Sequence, residues 1–152
     1  MEPNSLRLGD RIFPITCATF FRLSQPEEEH PRWQFEIRTG PPLDLADDAH
    51  DRFMYGRGVR LYAEADPIPI PALEDLTGVE LHLPEAFDRK YNDPYFTLYV
   101  QEHGEVSDVR LRFAKRRGDS YRLYLTGFAH HVVRDPLPLQ VETWIQWRRA
   151  GA

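Results

Sequence analysis

Between Tyr95 and Val133 the chain alternates apolar and polar residues in three runs separated by short polar breaks. Phe96, Leu98 and Val100 alternate with Thr97, Tyr99 and Gln101; Val109, Leu111 and Phe113 alternate with Asp108, Arg110 and Arg112. Leu123 and Leu125 alternate with Arg122 and Tyr124. A period of two sends successive side chains to opposite faces, so the runs predict half-buried strands of an antiparallel meander. Gly104 in His103-Gly104-Glu105-Val106 suits the first central position of a type II′ hairpin turn. Closure there pairs Val100 with Val109, Leu98 with Leu111 and Phe96 with Phe113. The loop Arg116-Arg117-Gly118-Asp119-Ser120 then pairs Phe113 with Leu123 and Leu111 with Leu125. A slip of one residue would set Leu98 against Arg110, which is why parity favours this register. The outer face then carries Tyr99 opposite Arg110, with Thr97, Arg112 and Tyr124 in a row. At Gly127 the alternation falters, as it does where a glycine marks a bulge or bend.

The same pattern extends through the rest of the chain. Arg11 to Leu23 is β-branched and aromatic and reads as a strand interrupted early by Pro14, with Cys17 packed inside it. Ser24 to Pro31 is a polar turn or loop. Arg32 to Thr39 is a strand with Trp33, Phe35 and Ile37 on one face. Leu43 to Asp51 forms a loop or one helical turn. Arg52–Tyr55 and Val59–Ala65 then read as the arms of a hairpin around Gly56-Arg57-Gly58. The three prolines of Asp66 to Pro71 remove ladder donors, leaving an edge segment or an extended crossover. Val79, Leu81 and Leu83 form a short strand, Pro84 to Asn92 a short helix, and Leu139 to Trp147 a closing strand. Val141, Ile145 and Trp147 share one side of that strand and Trp144 the other. The fold class is therefore all-β: an antiparallel β-sandwich or partly closed barrel of about eight strands, with at most one or two short helices.

Composition narrows this picture little. A chain of 152 residues fits one domain spanning residues 1–152, and at that size burial of roughly 70% of the unfolded surface needs no staples. The hydrophobic share of 41% and charged share of 28% are those of a globular protein. A lone Cys17 excludes an internal disulfide framework and fits a reducing compartment, so a cytoplasmic location is expected. No apolar run has the length of a signal or a membrane span. Charge is more informative, because the net −5 is unevenly spread. From Gln25 to Asp88 there are 15 acids against 5 bases, and from Arg89 onward 7 acids against 11 bases. Such an imbalance can steer a basic partner to the middle of the chain, or can simply be a set of solvated loops.

Asn92-Asp93-Pro94-Tyr95, followed by FTLYV and preceded by VELHLPEAFDR, resembles the S-D-P-Y-V segment of C2 domains. C2 domains are calcium- and lipid-binding β-sandwiches, and the resemblance implies Asp88 and Asp93 as calcium ligands. It covers about twenty residues; no N-P-x-W-N-E segment or later D-x-D loop follows. Asn-Asp-Pro is equally an ordinary turn leading into a strand. His30, His50, His82, His103, His130 and His131 show no H-x-H or H-E-x-x-H spacing, so no metal is expected. No G-x-S-x-G elbow, cysteine-nucleophile context or Gly-rich phosphate cradle appears, and no cofactor is expected. Arg117-Gly118-Asp119 is a hairpin tip.

One surface stands out. Tyr99, Arg110, Arg112 and Tyr124, flanked by Arg122, mix the residue types enriched at protein interfaces. The expected partner is another protein or a second copy of the chain. The net acidity disfavours nucleic acid, and a solvated face of Arg–Tyr cross-strand pairs is the plain alternative. The reading is a non-enzymatic binding domain. Its competitor is a barrel holding a small apolar ligand in an internal pocket, with or without hydrolytic activity. Phe96, Leu98, Leu111, Phe113, Leu123 and Leu125 fill the inward positions and favour the first.

Overall fold

The computed structural model describes residues 4–23, 32–66, 68–132 and 136–148. They form nine strands and one helix: β1 (Ser5–Leu8), β2 (Arg11–Leu23), β3 (Arg32–Thr39), α1 (Ala49–Tyr55), β4 (Arg60–Asp66), β5 (Glu80–Leu83), β6 (Thr97–Val100), β7 (Glu102–Arg117), β8 (Ser120–Ala129) and β9 (Leu137–Trp147). The expected loop at Ser24 to Pro31 lies outside the described residues. No helix among those described is long and apolar enough to cross a membrane.

The sheet runs β7-β6-β4-β3-β2-β1-β9-β8, and β8 returns to β7, so eight strands close into a barrel. Closure is what distinguishes this barrel from the sandwich also allowed by the alternation. Strand β7 is long enough to hold β6 along its first half and β5 along its second. The short β1 lies between β2 and β9, and past its end these two strands meet directly, in parallel, at Thr19–Gln146 and Phe20–Trp147. Asn4 sits at the fork with φ 56°. Its side chain accepts the Trp144 N–H at 2.9 Å and its carbonyl the Ile15 N–H at 2.8 Å. Asparagine is among the few residues that take up this left-handed conformation readily.

The inward row of β3 is Trp33, Phe35 and Ile37, all buried, as its alternation predicts. Leu111–Leu125 and Phe113–Leu123 face one another across β7 and β8. Arg117 pairs with Ser120 around Gly118-Asp119, which form the hairpin tip. Residues 68–79 form no ladder, yet they bury Ile68, Ile70 and Leu76 in the core. The Tyr121 hydroxyl accepts the Leu76 N–H at 3.1 Å, fastening this stretch to β8.

Several expectations are corrected. The β6–β7 turn falls at Gln101, with φ 61°, so Leu98 faces Gly104 and Tyr99 faces His103, not Arg110. Gly104 serves close approach rather than a turn, since a Cβ there would lie 1.8 Å from the His130 carbonyl oxygen. A bulge at Asp108–Val109, opposite Gly127, then moves the buried positions from Gly104 and Val106 to Val109, Leu111 and Phe113. Residues 52–55 are helical, because Asp48 caps α1 by accepting the Asp51 N–H at 2.7 Å. Residues 84–92 form turns: Asp88 captures the Tyr91 N–H at 2.8 Å and Asn92 reverses the chain at φ 57°. Strand β2 runs unbroken through Pro14, whose carbonyl accepts the Gly40 N–H at 2.9 Å. A register shift after Ile15 turns Cys17 outward, so the thiol is exposed.

An ion pair between Arg11 and Asp51 fastens helix α1 to β2. Arg11 donates to both Asp51 oxygens, at 3.0 and 2.6 Å, and its guanidinium lies 4.4 Å from the Tyr55 ring centre. The Ala46 N–H adds a third hydrogen bond to Asp51 at 2.6 Å. These bonds hold the Asp51 carboxyl below the usual carboxylate range.

Two outcomes test this arrangement. Leu111→Ala should cost about 2–5 kcal/mol by urea denaturation, because it opens a cavity beneath three strands; a loss under about 0.5 kcal/mol would contradict the core assignment. The Asp51 contact stabilises the fold above the unfolded carboxyl pKa of ~3.9, and that stability disappears as pH falls through the lowered folded value. Melting curves of the wild type and Asp51→Asn should therefore differ at neutral pH and converge in acid.

Candidate functional site

Among the described residues, two grooves on the outer side of the barrel wall take in the exposed residues singled out from the sequence. The first, of about 460 Å³, lies over β5, β7 and β8 and is lined by Glu80, His82, Arg110, Arg112, Tyr124 and Thr126. It contains three of the five residues singled out from the sequence. Arg110 lies between His82 and Thr126, and Arg112 between Glu80 and Tyr124. The Arg112 guanidinium stands 4.7 Å from the Tyr124 ring centre, a cation–π contact. Both arginines are exposed, and among the described residues neither has a carboxylate at ion-pair distance. Opposite Arg110, His82 bonds Asp108 at 2.5 Å across the bulge.

Arg122 adjoins this groove but plays a different part. It is buried, and its Nη2 donates to Glu142 at 2.7 Å. Burial opposes its charge, while hydrogen bonds to Glu142 and Tyr124 outweigh that and raise its pKa. Trp144 lies beside it on the outer face, under the Arg117 guanidinium at 4.2 Å. Arg122 therefore supports the face from beneath, and Arg110 and Arg112 present charge above it.

Tyr99 belongs elsewhere. It lines a second groove, of about 540 Å³, together with Arg38, Arg57, Arg60 and His103. Ladder pairing sets Arg38, Arg60, Tyr99 and His103 in one row across β3, β4, β6 and β7. The Tyr99 and His103 rings are 4.9 Å apart, and His103 Nδ1 shares a hydrogen bond of 2.9 Å with the Tyr62 hydroxyl. Arg38 and Arg60 are directly opposed, which like charges resist. Glu36 resolves the conflict: Arg60 donates to both of its oxygens, at 2.7 and 2.8 Å, and Arg38 Nε shares one of them. Burial pushes the Glu36 carboxyl up, but the hydrogen bonds from Arg60 and Arg38 win and hold it below the usual range. Sequence reasoning missed this groove. Arg38 and Arg60 are each legible as outward, but only the β3–β4 register makes them neighbours.

The remaining chemistry is dispersed. His131 approaches Glu105 at 3.3 Å, and His130 Nε2 shares a hydrogen bond of 2.6 Å with the Ser107 hydroxyl, tying the β7 bulge to the end of β8. His50 is exposed on α1, and His30 lies outside the described residues. Among the described residues no group of three or more His, Cys, Asp or Glu could hold a metal ion. Asp88 and Asp93, the ligands implied by the C2 resemblance, meet through a backbone hydrogen bond of 2.8 Å within a turn. The closed barrel also differs from the C2 sandwich.

Glu36→Gln should cost about 1–3 kcal/mol by denaturant unfolding, because it leaves two opposed guanidiniums with a weaker acceptor. Added salt should recover part of the loss by screening their repulsion. An unchanged stability, or a loss that grows with salt, would contradict this role for Glu36.

Comparison of the chain with protein families, with curated proteins and with solved structures yields no match in any of the three.

Proposed function

We propose that this chain is a non-enzymatic binding domain that engages an acidic segment of a protein partner through the outer face of β5, β7 and β8. The observation that carries the reading is the pair Arg110 and Arg112. They alternate on one strand, both are exposed, and neither has a carboxylate at ion-pair distance among the described residues. Unpaired guanidiniums beside a tyrosine suit carboxylate recognition, since the planar fork binds both oxygens and the ring holds its orientation. Arg and Tyr are also the residue types that most often dominate interface energies. The barrel interior speaks for a surface role, because Phe96, Leu98, Leu111, Phe113, Leu123 and Leu125 are all buried in its core. An internal apolar pocket would need smaller side chains there.

Affinity capture from lysate, comparing the wild type with Arg110→Ala/Arg112→Ala, tests the reading. The double variant should lose its partner by more than about tenfold in affinity, and the captured wild-type complex should be released by salt. Stability should stay within about ±0.5 kcal/mol. Equal capture by both proteins would overturn the assignment of this face. A dimer of the chain itself, dispersed by the double change in sedimentation, would replace the acidic partner with a second copy.

A further inference from the structure

The groove over β3, β4 and β6 is separate from that face, and its lining holds three guanidiniums and no carboxylate. Arg38 and Arg60 are held directly opposite one another and share the single carboxylate of Glu36. Glu64, largely exposed, lies farther off, 3.7 Å from Arg60. A third guanidinium is supplied by Arg57, which has no partner among the described residues. The loop carrying it is fixed: Gly58 has φ 73°, and a Cβ there would lie 2.2 Å from the Thr39 carbonyl oxygen. The Val59 N–H donates to the Thr39 hydroxyl at 2.9 Å, joining the same loop to β3. Arg38 uses only its Nε on Glu36, so its terminal nitrogens remain available. Tyr99 continues the row with an exposed ring.

We infer that this groove binds an aromatic phosphate monoester, its phosphate on Arg57 and the terminal nitrogens of Arg38, with Arg60 adding positive charge beside them, and its ring against Tyr99. A phosphate monoester carries about −1.5 to −2 charges at neutral pH and three acceptor oxygens, so several guanidinium forks can bond it at once. A carboxylate offers two oxygens and leaves part of this donor set idle. The volume of about 540 Å³ falls within the range of roughly 300–1,000 Å³ typical of small-ligand sites. A long polyanion is opposed by the net charge of −5. The same chemistry is available from a free small molecule or from a phosphotyrosine side chain.

Calorimetric titration with inorganic phosphate, phenyl phosphate and a phosphotyrosine peptide tests the assignment. Phenyl phosphate should bind at least about tenfold more tightly than inorganic phosphate, through stacking on Tyr99. Arg57→Ala should weaken both by about tenfold or more, and Tyr99→Ala should erase the preference for the ring. Arg57 touches no partner among the described residues, so melting should be unchanged in that variant. Arg110→Ala/Arg112→Ala should bind phenyl phosphate like the wild type, separating this groove from the partner face. Peptide binding tighter than phenyl phosphate assigns the source to a protein, and equal binding assigns it to a free molecule; both support the chemistry. Absence of saturable binding, or binding that ignores Arg57→Ala, overturns it.

Discussion

Phe20 is the contact on which the barrel depends. Its ring meets Trp33, Phe35, Phe113, Tyr121 and Trp147, with centroids between 5.4 and 6.2 Å apart. Those five rings come from β3, β7, β8 and β9, so one side chain of β2 packs against four other strands. Three of the contacts are stacked and the others tilted or edge-on, geometries that favour aromatic pairs beyond the area they bury. The direct β2–β9 seam runs through this residue, where Phe20 pairs with Trp147 and its carbonyl accepts the Arg148 N–H at 2.7 Å. Backbone closure and core packing are thus fixed at one position.

A centre filled with rings moves chemistry to the wall. Both grooves are built from outward side chains whose inward neighbours belong to the core: Arg110 and Arg112 flank Leu111, and Arg60 precedes Leu61. The rigidity of the core therefore sets the spacing of the surface arginines. The two grooves differ in how they handle charge. Glu36 neutralises part of one, whereas Arg110 and Arg112 rely on a tyrosine and on solvent.

The sequence was legible wherever one alternation persisted through a whole strand. Trp33, Phe35 and Ile37 needed no tertiary information, and the Leu111–Leu125 register followed from parity and a short turn. It was illegible where a single residue reset the phase. Asp108 takes φ 50°, a conformation its side chain type tolerates but does not announce, and the buried parity changes across it. Gly104 misled for a related reason: a glycine can mark a turn or a close approach, and only the position of His130 decides between them. Tyr99 was misplaced by the same error, since its neighbours depend on the β6–β7 register. Arg110, Arg112, Arg122 and Tyr124 were less exposed to that error, because all lie on one hairpin.

The fork at Asn4 also constrains how the chain reaches this state. Ser5 pairs with Glu142 and Thr19 with Gln146, so the seam joins segments separated by most of the sequence. On a ribosome, β1 and β2 emerge long before β9 exists, and the edges they will present to it stay unpaired in the interval. The β7–β8 hairpin, by contrast, joins segments that are neighbours in the sequence. Long-range closure such as that of the seam belongs to slow folding, and a waiting strand edge is the state most exposed to association with other nascent chains. With four residues, β1 itself adds only a short edge to those left open during that wait.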